Sequence, residues 1–115
     1  MFQLLTPKLE QRFKKIGDQR HTVDPIVITQ YTDENGVRYY AVSHERIGKI
    51  DVFWGFVIGA KDGPREGIWC HFNLDNHLTR GSLKRKQPFP WLGFNRMSWL
   101  YPKAIYLDRK VETLS

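Results

Sequence analysis

Cysteine is nearly absent: Cys70 is the only one in 115 residues. An internal disulfide and a multi-cysteine zinc site are thereby excluded, and a reducing cytoplasm is the expected setting. Long hydrophobic runs are missing too. The longest uncharged apolar stretch, residues 52–60, falls far short of the roughly 20 residues that span a bilayer, so no membrane association is expected. Residues 1–10 lack a charged start followed by a long apolar stretch, and no signal peptide is expected. There is no Gly-rich phosphate loop, nucleophile elbow or His-Glu-x-x-His pattern, and no internal repeat or low-complexity tract. Acidic residues thin out towards the C-terminal end. From Arg80 to Lys110, Asp108 alone opposes Arg80, Lys84, Arg85, Lys86, Arg96, Lys103, Arg109 and Lys110.

What is present is an ordinary globular composition: 41% hydrophobic and 26% charged residues, with aromatics at 14%. Below about 150 residues a second domain rarely fits, so residues 1–115 are read as one domain. The net charge of +6 is concentrated in the last third of the chain. Such a surplus is the footprint of a partner rich in phosphate or carboxylate, although solubility alone is served by the same charge.

Thr6-Pro7 pairs a hydroxyl N-cap with proline at the first helical position. Leu9, Phe13 and Ile16 then form one apolar stripe, and Gly17 supplies the stop, so a helix is expected over residues 6–17. Four strands follow within residues 25–74, at 26–32, 37–43, 51–59 and 67–74. Asn35-Gly36 favours a two-residue type I′ hairpin, which sets Asp33 opposite Arg38 and Tyr31 opposite Tyr40. The third strand is apolar on both alternating sets and is expected to be central and covered twice. Gly55 within it marks a bend or a close backbone approach. Residues 75–80 read as a helical turn and residues 82–87 as a basic loop. The whole of 75–103 is a basic, proline- and aromatic-rich segment, and 104–110 is a possible fifth strand. The fold class is therefore α+β: a four- to five-stranded, mainly antiparallel meander with the N-terminal helix on one face. The proline-aromatic segment is expected over the other face or along an edge.

Leu4-Leu5-Thr6-Pro7-Lys8-Leu9-Glu10, then Phe53-Trp54-Gly55-Phe56-Val57-Ile58-Gly59, then Phe72-Asn73-Leu74-Asp75 with Leu78 and Arg80-Gly81 occur in that order. The series resembles a family of small single-domain proteins of unknown function carried on conjugative plasmids and other mobile elements. The resemblance covers roughly the first 80 residues. It implies a helix-plus-sheet fold in a plasmid or phage setting and names no catalytic residue. Family members tend to be acidic, so the basic residues after Arg80 are this chain's own.

Several residue sets are candidates for chemistry. Lys84, Arg85 and Lys86, flanked by Arg80 and Arg96, are placed to follow a phosphate backbone while Trp91 or Trp99 stacks on bases, the way single strands are commonly held. The competing reading has the aromatics sealing the sheet. Trp69, His71 and Asn73 share a strand face that is either an open stacking platform or, as we expect, covered by the C-terminal segment. Cys70 and His71 point to opposite faces and do not share an ion; His71, Asp75 and His77 converge only if the chain turns at Leu74, and no metal or other cofactor is expected. Cys70 reads as an inert small hydrophobe. For catalysis the candidates are His71 and His77, with Arg80, Arg96 and Tyr101 as a ribonuclease-like set lacking any linear motif. The expected function is therefore non-enzymatic binding of nucleic acid, single strands or RNA foremost. Docking on an acidic patch of a host protein is the first alternative and a metal-independent ribonuclease the second. The expected state is monomer or homodimer.

Overall fold

A computed structural model describes residues 5–61, 63–74, 84–86, 96–106 and 113–114. The expected turn at 75–80, with His77 and Arg80, and Trp91 lie outside the described residues. The elements are helix α1 (Pro7–Ile16), strands β1 (Thr29–Thr32), β2 (Arg38–Ile47), β3 (Ile50–Ile58), β4 (Ile68–Phe72) and β5 (Lys84–Lys86), helix α2 (Met97–Leu100), a 3-10 turn (Pro102–Tyr106) and strand β6 (Thr113–Leu114). They build the expected α+β architecture. β1 to β4 form an antiparallel meander, and a short strand extends it on each side, giving the order β5-β1-β2-β3-β4-β6. β5 runs antiparallel to β1, and β6 parallel to β4.

α1 forms as its ends dictate. The Thr6 hydroxyl accepts the Leu9 N–H at 3.2 Å, Pro7 occupies the first turn, and Gly17 closes the helix with φ 81°. Its apolar stripe buries Leu9 and Phe13 on the sheet, where they join Ile28, Tyr31, Phe53, Val57, Cys70 and Phe72 in one core. On the opposite face Val27, Tyr40, Trp54, Phe56, Trp69, Met97 and Ala104 form a second core, with Leu100 and Tyr101 packed against it. β3 is thus covered on both faces, and the C-terminal segment supplies the second cover. That cover is clasped to the start of the sheet: the Asp24 carboxylate accepts the Ser98 N–H at 2.9 Å and the Ser98 hydroxyl at 2.6 Å. The Met97 N–H donates to the Pro25 carbonyl at 2.8 Å.

The first hairpin departs from the expected one. Tyr31 pairs with Tyr39 and Thr32 with Arg38, one residue away from the type I′ register. A type I′ turn needs positive φ at two consecutive residues, but only Gly36 supplies it, at 81°, and no described non-glycine residue does. The cause is Asp33. Its carboxylate accepts the N–H groups of Asn35 at 2.9 Å and Val37 at 3.0 Å, and the Tyr39 hydroxyl at 3.1 Å. This side-chain turn lengthens the loop by one residue. Strand side chains alternate with a period of two, so the slip decides faces. Tyr39 joins Tyr31 beneath α1, while Tyr40 goes to the second core. Arg38 leaves Asp33 and donates instead to the Tyr40 hydroxyl at 3.1 Å.

β2 and β3 continue past their expected ends into a second tight hairpin, Ile47 pairing with Ile50 around Gly48-Lys49. Between Ala41 and Ser43 the register shifts, leaving Val42 as a bulge. Gly55 lies opposite Ala41, and a Cβ there would run into the Tyr40 carbonyl oxygen. The close backbone approach expected at this glycine is therefore present.

Two further expectations are corrected. Residues 104–106 are not a strand: Pro102 opens a 3-10 turn through Tyr106, because it brings Ala104 into the second core, where the Ala104 carbonyl accepts the Trp69 indole N–H at 2.8 Å. Residues 107–110 of that expected strand lie outside the described residues. Lys84, Arg85 and Lys86 are not loop but strand, completing the backbone hydrogen bonding of β1 on the side away from β2.

Candidate functional site

β1 reaches along β2 only from Arg38 to Ala41. Beyond the bulge, β2 has β3 on one side and, among the described residues, no strand on the other. Buried backbone groups need partners, and Gln19 provides them as the chain crosses this edge after α1. Its backbone N–H donates to the Ser43 hydroxyl at 2.9 Å. Its side-chain amide donates to the carbonyls of Val42 at 2.7 Å and Ile26 at 2.8 Å, and its side-chain oxygen accepts the Ile26 N–H at 2.8 Å. One buried glutamine thus replaces a short length of strand.

A cavity of about 250 Å³ opens beside this crossing, between the end of α1, residues 17–20 and the sheet. Phe13, Val52 and Trp54 contribute apolar wall; Ser43, His44, Glu45 and His71 contribute polar groups from β2 and β4. At the rim Arg20 grips Asp18 in a two-pronged ion pair, with N···O distances of 2.9–3.0 Å. Hydrogen bonds from Arg20 hold the Asp18 carboxyl below its usual range. His71 titrates below the ordinary imidazole value, first because it is partly buried and second because Arg20 is nearby, with Glu45 and Asp18 pulling the other way. It is a neutral imidazole at pH 7, with one donor and one acceptor nitrogen.

A second polar network lies beneath α1 and meets the cavity through His44. The His44 Nε2 lies 2.8 Å from Asp51 Oδ1, Arg46 donates to the same oxygen at 3.0 Å, and Arg46 also pairs with Glu10 of α1 at 3.2 Å. The imidazole is wedged between the rings of Phe13 and Phe53, with centroids 5.6 and 5.3 Å away. Burial raises the Asp51 carboxyl, but the hydrogen bonds from His44 and Arg46 outweigh it and leave the group below its usual range. These contacts fasten the β2–β3 hairpin to the helix.

The sequence candidates scatter over this frame. His71 lines the cavity, half-buried on β4 opposite Trp54. Trp69 is no open platform: it is fully buried, stacked on Trp54 at 5.1 Å and covered by Ala104. Of the described members of the ribonuclease-like set, only His71 lines the cavity. Arg96 donates to the Asp24 carbonyl at 2.8 Å, and Tyr101 stacks on Phe56 at 5.4 Å. His77 and Arg80 lie outside the described residues. Trp99 falls in α2. Cys70 is buried beneath α1, and no group of three potential metal ligands occurs among the described residues. Nor is any described helix long and apolar enough to cross a membrane.

Lys84, Arg85 and Lys86 stand together on the β5 edge, in register with Thr32, Tyr31 and Gln30. β1 flanks the Arg38–Ala41 end of β2, whereas Ser43 and Glu45 bring the other end to the cavity. The basic edge and the cavity are separate surfaces. Arg20, Gln19, Ser43 and Glu45 were not legible as site residues; the one local signal near them was Gly48 between Ile47 and Ile50, which marks the hairpin that carries Glu45. Compared with known proteins, the chain matches no family model, no curated protein and no solved structure.

Proposed function

We propose that this protein binds single-stranded nucleic acid along the basic edge of its sheet. The observation that carries the reading is β5 itself: three consecutive cationic residues held as an ordered edge strand on β1. A strand rises about 3.3 Å per residue, so this edge sets cationic positions at regular intervals along the backbone. A flexible loop of the same composition would lose more conformational entropy on binding. The net charge of +6 supplies the long-range attraction. In this reading Arg80 and Arg96 extend the charged surface, since Arg96 keeps donors beyond the one given to Asp24, and Trp91 and Trp99 supply base stacking.

A charged edge also guards a sheet against pairing with other sheets, and one experiment separates the two roles. Binding of short single-stranded RNA and DNA is measured across a salt series for the wild type and for the variant Lys84→Gln/Arg85→Gln/Lys86→Gln. Each phosphate neutralised contributes about 0.7 to the slope of log K against log salt for single strands. Removing three cations flattens that slope by about 2 if the edge binds the backbone. An unchanged slope refutes the proposal, and self-association of the variant without loss of binding assigns the edge to protection.

A further inference from the structure

The cavity beside the Gln19 crossing has a chemistry of its own. Its charges cancel, with Lys14 and Arg20 set against Asp18 and Glu45, so a bare anion gains little there. The neutral imidazole of His71 offers one donor and one acceptor. The Glu45 carboxylate can only accept. Phe13, Val52 and Trp54 add apolar surface. At about 250 Å³ the space lies just below the roughly 300–1,000 Å³ of drug-sized pockets, which is the scale of one small heterocycle.

A flat, uncharged group bearing both donors and acceptors on its edge meets all of these conditions, and a nucleobase is such a group. Recognition of single strands commonly works this way, with an unstacked base laid against aromatic or imidazole rings and hydrogen-bonded along its edge. The carboxylate narrows the choice. Guanine presents two adjacent N–H donors, at N1 and N2, to an acceptor-only partner. Adenine and cytosine place a ring-nitrogen acceptor beside their amino group, and uracil offers a single N–H between two carbonyls.

We propose that this cavity holds one unstacked guanine base, with its N1–H and N2–H edge on the Glu45 carboxylate. The base reaches the cavity either within a bound strand, which rests on the nucleic-acid reading above, or as a free guanine nucleotide, which does not. Glu45 is exposed, so Glu45→Gln keeps the fold, and circular dichroism verifies that.

The test uses the full chain and three probes: oligouridylate carrying one guanosine, the same strand carrying one adenosine, and guanosine 5′-monophosphate. Wild-type protein binds the guanosine strand about tenfold or more tighter than the adenosine strand, as a good two-bond base contact allows. Glu45→Gln abolishes that preference. The Lys84→Gln/Arg85→Gln/Lys86→Gln variant weakens both strands alike and keeps the preference. Equal affinity of the wild type for the two strands excludes a strand-borne base, leaves the edge reading standing and passes the decision on the cavity to the monophosphate. If neither strand binds, the edge reading falls and the monophosphate decides. Binding to wild type but not to Glu45→Gln supports the cavity with a free nucleotide as its source, and no binding overturns it.

Discussion

Trp54 and Trp69 form a matched pair that isolates the worth of one hydrogen bond. Both are almost completely buried, at 2% and 0% exposure, both lie in the second core, and they stack on each other at 5.1 Å with 20° between their planes. Replacing either by phenylalanine removes the same atoms from the same kind of surroundings, so the packing losses are similar. The indole N–H groups differ. That of Trp69 donates to the Ala104 carbonyl at 2.8 Å, whereas that of Trp54 is buried without an acceptor among the described residues. Trp69→Phe therefore deletes a bond and orphans a buried carbonyl, a loss of about 1–3 kcal/mol beyond packing. Trp54→Phe deletes an unsatisfied donor and recovers a penalty of about 1 kcal/mol or more. Trp69→Phe should be the less stable variant by about 2–4 kcal/mol. With a urea slope near 2 kcal/mol/M, typical of domains this size, the two unfolding midpoints should differ by about 1–2 M. Equal midpoints, or a lower midpoint for Trp54→Phe, would refute the assignment of these two indoles.

The remaining predictions concern the first hairpin and the response to acid. Asp33→Ala leaves the Asn35 and Val37 N–H groups and the Tyr39 hydroxyl without their shared acceptor and should destabilise the protein by about 3 kcal/mol in urea unfolding. Asp33→Asn, which keeps an acceptor oxygen, should cost clearly less, and equal losses would show that the carboxylate does not organise the turn. His71 and Asp51 both titrate lower in the folded protein than their ordinary values of 6.5 and 3.8. In each case the unfolded chain takes up its proton first, so the stabilisation is complete above the ordinary value and is lost as pH falls through the folded one. Thermal midpoints should therefore begin to drop just below pH 6.5 and drop again below pH 3.8. His71→Gln should remove the first step alone, and Asp51→Asn should shrink the second to the part that Asp18 contributes. A first step that survives in His71→Gln would assign it to another group.

The parts of the fold that rest on local chemistry were legible in the chain: the capped helix α1, the doubly apolar β3, and the C-terminal cover over Trp69. The features that failed depend on side chains reaching across the structure. Asn35-Gly36 has the composition of a tight hairpin, but the Asp33 carboxylate gathers Asn35, Val37 and Tyr39 and outcompetes it. β5 carries no β-branched residue and becomes a strand because β1 has an edge to fill. The candidate cavity depends on one residue that no periodicity reveals. Tyr39 and Ala41 face α1, and unbroken alternation would carry Ser43 and Glu45 to that same side. The bulge at Val42 inverts the sequence of faces. His44 and Arg46 turn beneath α1, where they meet Phe13 and Glu10, while Ser43 and Glu45 turn to the side of Trp54 and His71. The bulge is accommodated where β3 carries Gly55, whose missing Cβ lets β2 press its Tyr40 carbonyl inward. A glycine inside a strand that is otherwise aromatic and β-branched weakens that strand. Here it permits the change of face that sets the Glu45 carboxylate on the His71 side of the sheet, while His44, bound to Asp51, meets the cavity from the α1 side.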